Sequence, residues 1–188
     1  MKFNERDIIT DDSLARGPYR ETMTLTPRSY AAFALALSAA LLIGAWTFQY
    51  GFGYAPCQMC YWQRHAHKAV VGVSVLAIIW HIANGARAEK NGTALIMLIF
   101  FISAALAFWH VGVEMGFIEE LASCTAGDVD MSQIGSGDLL GSLDKKIKPP
   151  ACSDVAWSLF GISMAGYNAI FSLLGAAMGA VALRAANA

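Results

Sequence analysis

Three blocks of this chain hold no Asp, Glu, Lys or Arg: Ser29 to Gln63, Gly92 to Val113, and Val155 to Leu183. Each exceeds the roughly 20 residues that a helix rising about 1.5 Å per residue needs to cross about 30 Å of hydrocarbon. A fourth block is shorter. Its strongly apolar run, Ala69 to Trp80, would reach only about 18 Å at helical rise. That helix must borrow its first turns from Cys57 to Lys68, which sets Arg64, His65, His67 and Lys68 near one membrane face. The pattern predicts an all-α membrane protein, a bundle of four transmembrane helices over residues 29–184. The spans fall at about 30–50, 58–83, 93–114 and 156–183, flanked by tails 1–28 and 185–188.

The links differ in kind. GFGYAP, residues 51–56, reads as a tight turn, and NGARAEKNG, residues 84–92, as a short polar connection between antiparallel helices. Residues 115–155 form a long Gly-, Ser- and Asp-rich loop between helices 3 and 4, ending in Pro149-Pro150 before Cys152. Loops of that length are functional or disordered more often than not. Within it, Leu139, Leu140, Leu143 and Ile147 have the spacing of a short helix lying on the membrane surface, with a solvated connector as the alternative. The tail 1–28 mixes acidic and basic residues with no helical stripe. The first span is too long and too far from the start for a cleavable signal, so a retained anchor is expected.

With 56% hydrophobic and 14% charged residues over 188 positions, an ordinary soluble domain is excluded. The net charge of -1 says little about partners; the distribution of cations says more. With four spans both termini share one side, and eight Lys and Arg fall there against five on the other. That bias favours cytoplasmic termini and puts all four cysteines on the outer side, where disulfides persist in a bacterial cell. The expected location is the inner membrane, with the cysteines periplasmic.

Cys57-Gln58-Met59-Cys60 is a C-x-x-C motif. That spacing lets two sulfurs meet within one turn, and a thiol near a helix start can react readily. Zinc sites and structural bridges share it. At about 100° per residue, Cys57, Cys60, Arg64, His67 and Lys68 fall within one arc of the second helix. Arg64 could then stabilise a thiolate or the negative charge developing on a quinone oxygen, or simply snorkel to the interface. Cys124 and Cys152 stand towards the two ends of the long loop and could close it with a structural bridge. A mobile second pair also suits thiol-disulfide exchange.

The run Pro56-Cys57-Gln58-Met59-Cys60-Tyr61-Trp62-Gln63-Arg64, with Cys124, Cys152 and the stretch Trp157 to Met164 (WSLFGISM), resembles the DsbB family of disulfide bond formation proteins. The similarity covers Tyr30 to Leu183. It implies a thiol:quinone oxidoreductase with Cys57, Cys60, Cys124 and Cys152 as catalytic residues. A periplasmic DsbA-type thioredoxin-fold oxidase would be the partner, attacking the Cys124-Cys152 disulfide at Cys124. Electrons would pass through a transient Cys57-Cys152 link to Cys57-Cys60 and on to ubiquinone or menaquinone, with Arg64 helping to hold it. No metal and no nucleic acid are implied, and a monomer is expected.

His110 and Glu114, four apart on the third span, share a helix face and could bond each other near the quinone head. With Arg64 and Cys60 they complete the expected quinone-binding set; a helix-end hydrogen bond is their structural alternative. Asn168 reads as an interhelical hydrogen bonder, and Gly175 and Gly179 as a close-packing G-x-x-x-G. Three rival readings exist. The vitamin K epoxide reductase type places its loop cysteines before the membrane C-x-x-C, the reverse of the order here. A zinc site on Cys57 and Cys60 with His65 or His67 needs four converging ligands. A haem between His67 and His110 would leave the cysteines unexplained.

Overall fold

The computed structural model describes residues 26–84, 89–121 and 150–187. Four helices dominate it: α1 (Pro27–Trp46), α2 (Gln58–Asn84), α3 (Glu89–Glu114) and α4 (Met164–Ala185). All four are long and apolar enough to cross a membrane. The expected positions in the tail before residue 26, in the loop 122–149, Cys124 among them, and the suggested surface helix at 139–147 lie outside the described residues.

Local chemistry sets the helix ends. The Thr26 hydroxyl accepts from Ser29 N–H at 3.2 Å and Pro27 opens α1, a first position where a missing N–H is harmless. At its other end α1 widens into a π-helical turn, Thr47–Gly51, which carries Gln49. The fourth span departs from expectation. Its helix begins at Met164 rather than at 156, because residues 158–163 fold as a two-stranded hairpin: β1 (Ser158–Leu159) pairs antiparallel with β2 (Ile162–Ser163). Phe160 and Gly161 make the turn with φ of 52° and 77°, the paired positive values of a two-residue hairpin turn. The Ser163 hydroxyl then caps α4 by accepting from Gly166 N–H at 3.1 Å.

The bundle is apolar outside as well as inside. Leu76, Ile79, Phe101 and Leu174 are exposed, as residues facing lipid are. Since lipid tails are as apolar as leucine, helix contact in a bilayer relies on small residues and interhelical hydrogen bonds. Both are present. At the end away from the cysteines, Tyr30, Ala34, Val70, Ile96, Phe100 and Ala182 form one buried cluster. There α4 presents glycines: a Cβ on Gly175 would lie 2.9 Å from the Phe100 ring, and one on Gly179 would lie 2.6 Å from Tyr30 Oη. The Tyr30 hydroxyl donates to the Gly175 carbonyl at 3.0 Å. The G-x-x-x-G pair therefore serves packing within the chain. At the cysteine end a second buried cluster gathers Cys57, Met59, Val113 and Cys152.

Candidate functional site

The first turn of α2 points its two cysteines at different surroundings. Cys57, 5% exposed, turns towards α3 and the segment before β1, sharing the buried cluster of Val113 and the fully buried Cys152. Cys60 lines a cavity of about 350 Å³ between α1, α2, α4 and the hairpin. The two sulfurs lie 2.7 Å apart without a bond assigned between them, and Cys60 N–H donates to Cys57 Sγ at 3.3 Å. Cys152 is disulfide-bonded. The Cys57 thiol is held well above the ordinary thiol range by its hydrogen bond with Cys60 and by burial, while His110 pulls it the other way.

The cavity is mostly apolar. Leu41, Phe48, Leu159 and Phe171 contribute its walls, and Trp157 lines it with its ring 5.0 Å from Phe48. Its polar groups converge from α2 and α4: Cys60, Gln63, Arg64, His67 and Asn168. A few placed polar groups in an apolar hollow of this size are the pattern of a small-molecule site. Arg64 takes a place the helical arc did not anticipate. Its hydrogen bonds run to α1, to Gln49 Oε1 and, at 3.2 Å, to the Ala45 carbonyl, and its guanidinium lies 5.7 Å from the Tyr61 ring. It braces the cavity rather than bonding a cysteine.

His110 and Glu114 do not line that cavity; they stand on the Cys57 side. His110 Nε2 is 3.5 Å from Cys57 Sγ, 3.2 Å from the Cys152 carbonyl and 3.9 Å from Glu114 Oε1. Glu114 accepts from the Ser163 hydroxyl, tying the end of α3 to the start of α4. Cys57, Cys60 and His110 are the group of described residues whose ligand atoms lie within 4.8 Å of one another, one fewer than a structural zinc site uses. His65 and His67 are not among them. His67 instead sits in the bundle between Ser38, at 3.3 Å, and Asn168, at 2.6 Å.

Sequence reasoning did not single out Ser38, Gln49, Ser103 or Ser172, and named Gln63 and Trp157 only within the runs that carry the resemblance. Their signal was available in part: Gln63, His67 and Asn168 are polar residues within otherwise apolar spans, where such groups find partners or mark function. Asn168 does bridge helices as expected, donating to Gln63 Oε1 at 2.7 Å.

Comparison with known proteins places the chain in a family. The family model "Disulfide bond formation protein DsbB" matches residues 27–182. The chain is 24% identical over 151 residues to "Disulfide bond formation protein B" of Aromatoleum aromaticum, covering 80% of this chain and 88% of that one. It is 26% identical over 150 residues to "Disulfide bond formation protein B 2" of Pseudomonas fluorescens, covering 76% and 78%. An "Uncharacterized protein" of Rickettsia prowazekii is 25% identical over 142 residues, covering 74% and 77%. No solved structure matches the chain. Four apolar helices, a helix-head C-x-x-C and a match over 27–182 make this multi-pass membrane protein a member of the DsbB family of oxidoreductases for disulfide bond formation.

Proposed function

We propose that this chain is an inner-membrane thiol:quinone oxidoreductase that reoxidises a periplasmic DsbA-type dithiol oxidase and so supports disulfide formation in periplasmic proteins. The observation that carries the reading is the division of labour within one helical turn. Cys57 shares a buried cluster with Cys152, while Cys60 lines an apolar cavity beside Arg64. An electron pair can enter the couple at one sulfur and leave it at the other.

The relay runs as follows. A thiolate of the partner attacks Cys124 of a Cys124-Cys152 disulfide, forming a mixed disulfide and releasing Cys152 as a thiolate. Cys152 attacks Cys57, the Cys57-Cys60 bond breaks, and Cys60 takes its electron pair as a thiolate facing the cavity. Cys124, freed when the partner's second thiol closes the partner's own disulfide, attacks Cys152 and restores the loop bond, leaving Cys57 and Cys60 reduced. A quinone in the cavity supplies the acceptor for two electrons and two protons, which balances partner dithiol plus quinone against partner disulfide plus quinol. The cavity fits such a ring: its walls are aromatic and aliphatic, and Arg64, with more N–H groups than its two bonds to α1 and the π-helical turn use, is among its polar lining. Ubiquinone or menaquinone would serve. The topology that suits this chemistry has cytoplasmic termini and periplasmic cysteines.

The test is quinone reduction by purified protein supplied with a reduced DsbA-type partner, comparing the native chain with Cys60→Ser and Cys124→Ser. Both variants should stop turnover. Normal turnover in either would end the relay.

A further inference from the structure

A continuous line of buried polar side chains runs through all four helices and ends on Cys57. From the bundle interior it passes from Ser38 on α1 to His67 on α2, Asn168 on α4, Gln63 on α2 and His110 on α3. The links are Ser38 Oγ to His67 Nδ1 at 3.3 Å, His67 Nε2 to Asn168 Oδ1 at 2.6 Å, Asn168 Nδ2 to Gln63 Oε1 at 2.7 Å, and Gln63 Nε2 to His110 Nδ1 at 3.0 Å. All five residues are at most 9% exposed.

The direction of this line is set from its His110 end. A carbonyl oxygen only accepts, so the 3.2 Å contact between His110 Nε2 and the Cys152 carbonyl requires the hydrogen to sit on Nε2. With Gln63 Oε1 accepting from Asn168 Nδ2 at 2.7 Å, the Gln63 amide presents its NH₂ group to His110, and in the neutral ring, which carries one hydrogen, Nδ1 accepts it. Asn168 Oδ1 is then left to accept from His67 Nε2–H. The Ser38 hydroxyl completes the line by donating to His67 Nδ1. Ser172 Oγ lies beside the line, 3.0 Å from Ser103 Oγ and 3.3 Å from Asn168 Oδ1, with one hydroxyl hydrogen between the two. Every donor points towards Cys57, and aligned hydrogen bonds in a low-dielectric interior polarise one another in the same sense.

We propose that Ser38, His67, Asn168 and Gln63 are positioning residues that hold His110 as its Nε2–H tautomer, so that this N–H is presented to the Cys57 sulfur when the sulfur becomes anionic during exchange. This rests on reading Cys57 as an exchanging sulfur. In the step concerned, Cys124 thiolate forms a bond to Cys152, the Cys152-Cys57 bond breaks, and the electron pair stays on Cys57 Sγ. No proton leaves His110; it donates a hydrogen bond to the departing sulfur, beside the one from Cys60 N–H. The charged or titratable groups around that sulfur are Cys60 on its own helix, His110 and Glu114 on α3, and the Cys152 segment.

The experiment uses the full-length chain in nanodiscs with Cys60, Cys124 and Cys152 changed to Ser, so that Cys57 is the remaining thiol. The pH profile of its alkylation by iodoacetamide is compared after His110→Leu, Asn168→Leu, Gln63→Met and Ser38→Ala. His110→Leu should slow alkylation near neutral pH by about tenfold or more, the scale of a lost hydrogen bond to a charged group. Asn168→Leu and Gln63→Met should slow it several-fold in the same sense, and Ser38→Ala by less. Histidine ¹⁵N spectra should show His110 protonated at Nε2 in the parent and a tautomer mixture after Asn168→Leu. A merely structural line would leave the profile of folded variants unmoved. The proposal is overturned if folded Gln63→Met keeps the parent profile and tautomer, or if His110 carries its hydrogen on Nδ1. Should Asn168→Leu fail to fold, Gln63→Met and Ser38→Ala decide alone. Neither readout involves quinone or partner, so a failed relay would appear separately, as absent turnover in the native chain.

Discussion

Replacing Arg64 by Met removes a guanidinium while keeping a long apolar stem, and the structure separates two consequences. Two of the five N–H groups hold Gln49 Oε1 and the Ala45 carbonyl. Hydrogen bonds from charged groups are worth ~1.5–3 kcal/mol, and partial exposure at a membrane edge reduces that, so a stability loss of about 1–2 kcal/mol is expected. The chemical consequence is larger. Arg64 lines the cavity beside Cys60, where negative charge would develop on the acceptor oxygen. Removing one preorganised donor from such a place costs about 10²–10³ in kcat, or ~2.7–4 kcal/mol. The assay is quinone reduction by the reduced partner in nanodiscs, with quinone and partner varied separately. For Arg64→Met, kcat should fall by that factor and KM for quinone should rise, while KM for the partner should stay put if, as proposed, the partner engages Cys124. Arg64→Lys should recover only part of the loss, since an ammonium cannot reproduce the planar fork that reaches two acceptors on α1. Wild-type kcat/KM for quinone in a folded Arg64→Met protein would remove the cavity from the mechanism.

Cys124→Ser should abolish partner-driven turnover yet leave reduction of quinone by dithiothreitol, measured by the same absorbance change, because a small dithiol can reach Cys57-Cys60 without the loop pair. Quinone binding should quench the fluorescence of Trp157, which lines the cavity, and Trp157→Phe should remove that part of the quench in a titration. Gly179→Ala should lower Tm by the equivalent of about 1–3 kcal/mol, a typical cost of overpacking, because its Cβ would meet Tyr30 Oη at 2.6 Å and Met97 Cβ at 2.9 Å. Alkylation of Cys57 should not change in that variant.

The four spans were legible because a bilayer demands a fixed length of uncharged chain, and uncharged length is visible without partners. Residues 156–163 were misjudged for the same reason. Ala156 to Ser163 is free of charge and merges into the span behind it, while the features that end the helix there are conformational: positive φ at Phe160 and Gly161, and a cap from Ser163. The C-x-x-C couple was equally plain in the sequence. Which sulfur faces which partner was not, because an angle of about 100° per residue orders side chains around α2 without saying where α1 and α3 stand. Arg64 shows the gap: it shares an arc with the cysteines but reaches across to Gln49, a residue displayed by a π-helical turn. The polar line was hidden more deeply, since Asn168 meets His67 and Gln63 across 101 and 105 residues of sequence.

Apolar surface gives these helices no preference for one another over lipid, so the two ends of the bundle are held by different means. One end interlocks Gly175 and Gly179 with Phe100 and Tyr30; the other is joined by the line from Ser38 to His110. An interhelical hydrogen bond in a membrane contributes about 0.6 kcal/mol on average, so four links total only ~2.4 kcal/mol, comparable to the strain from one overpacked glycine. The line is thus a modest clamp. Cutting it at Asn168 should lower Tm no more than Gly179→Ala does, yet only the cut should alter the reactivity of Cys57, whose nearest link to Asn168 runs through two intervening side chains. Equal losses of stability with unequal effects on one sulfur would separate a residue that merely holds helices together from one that orients a proton towards the chemistry.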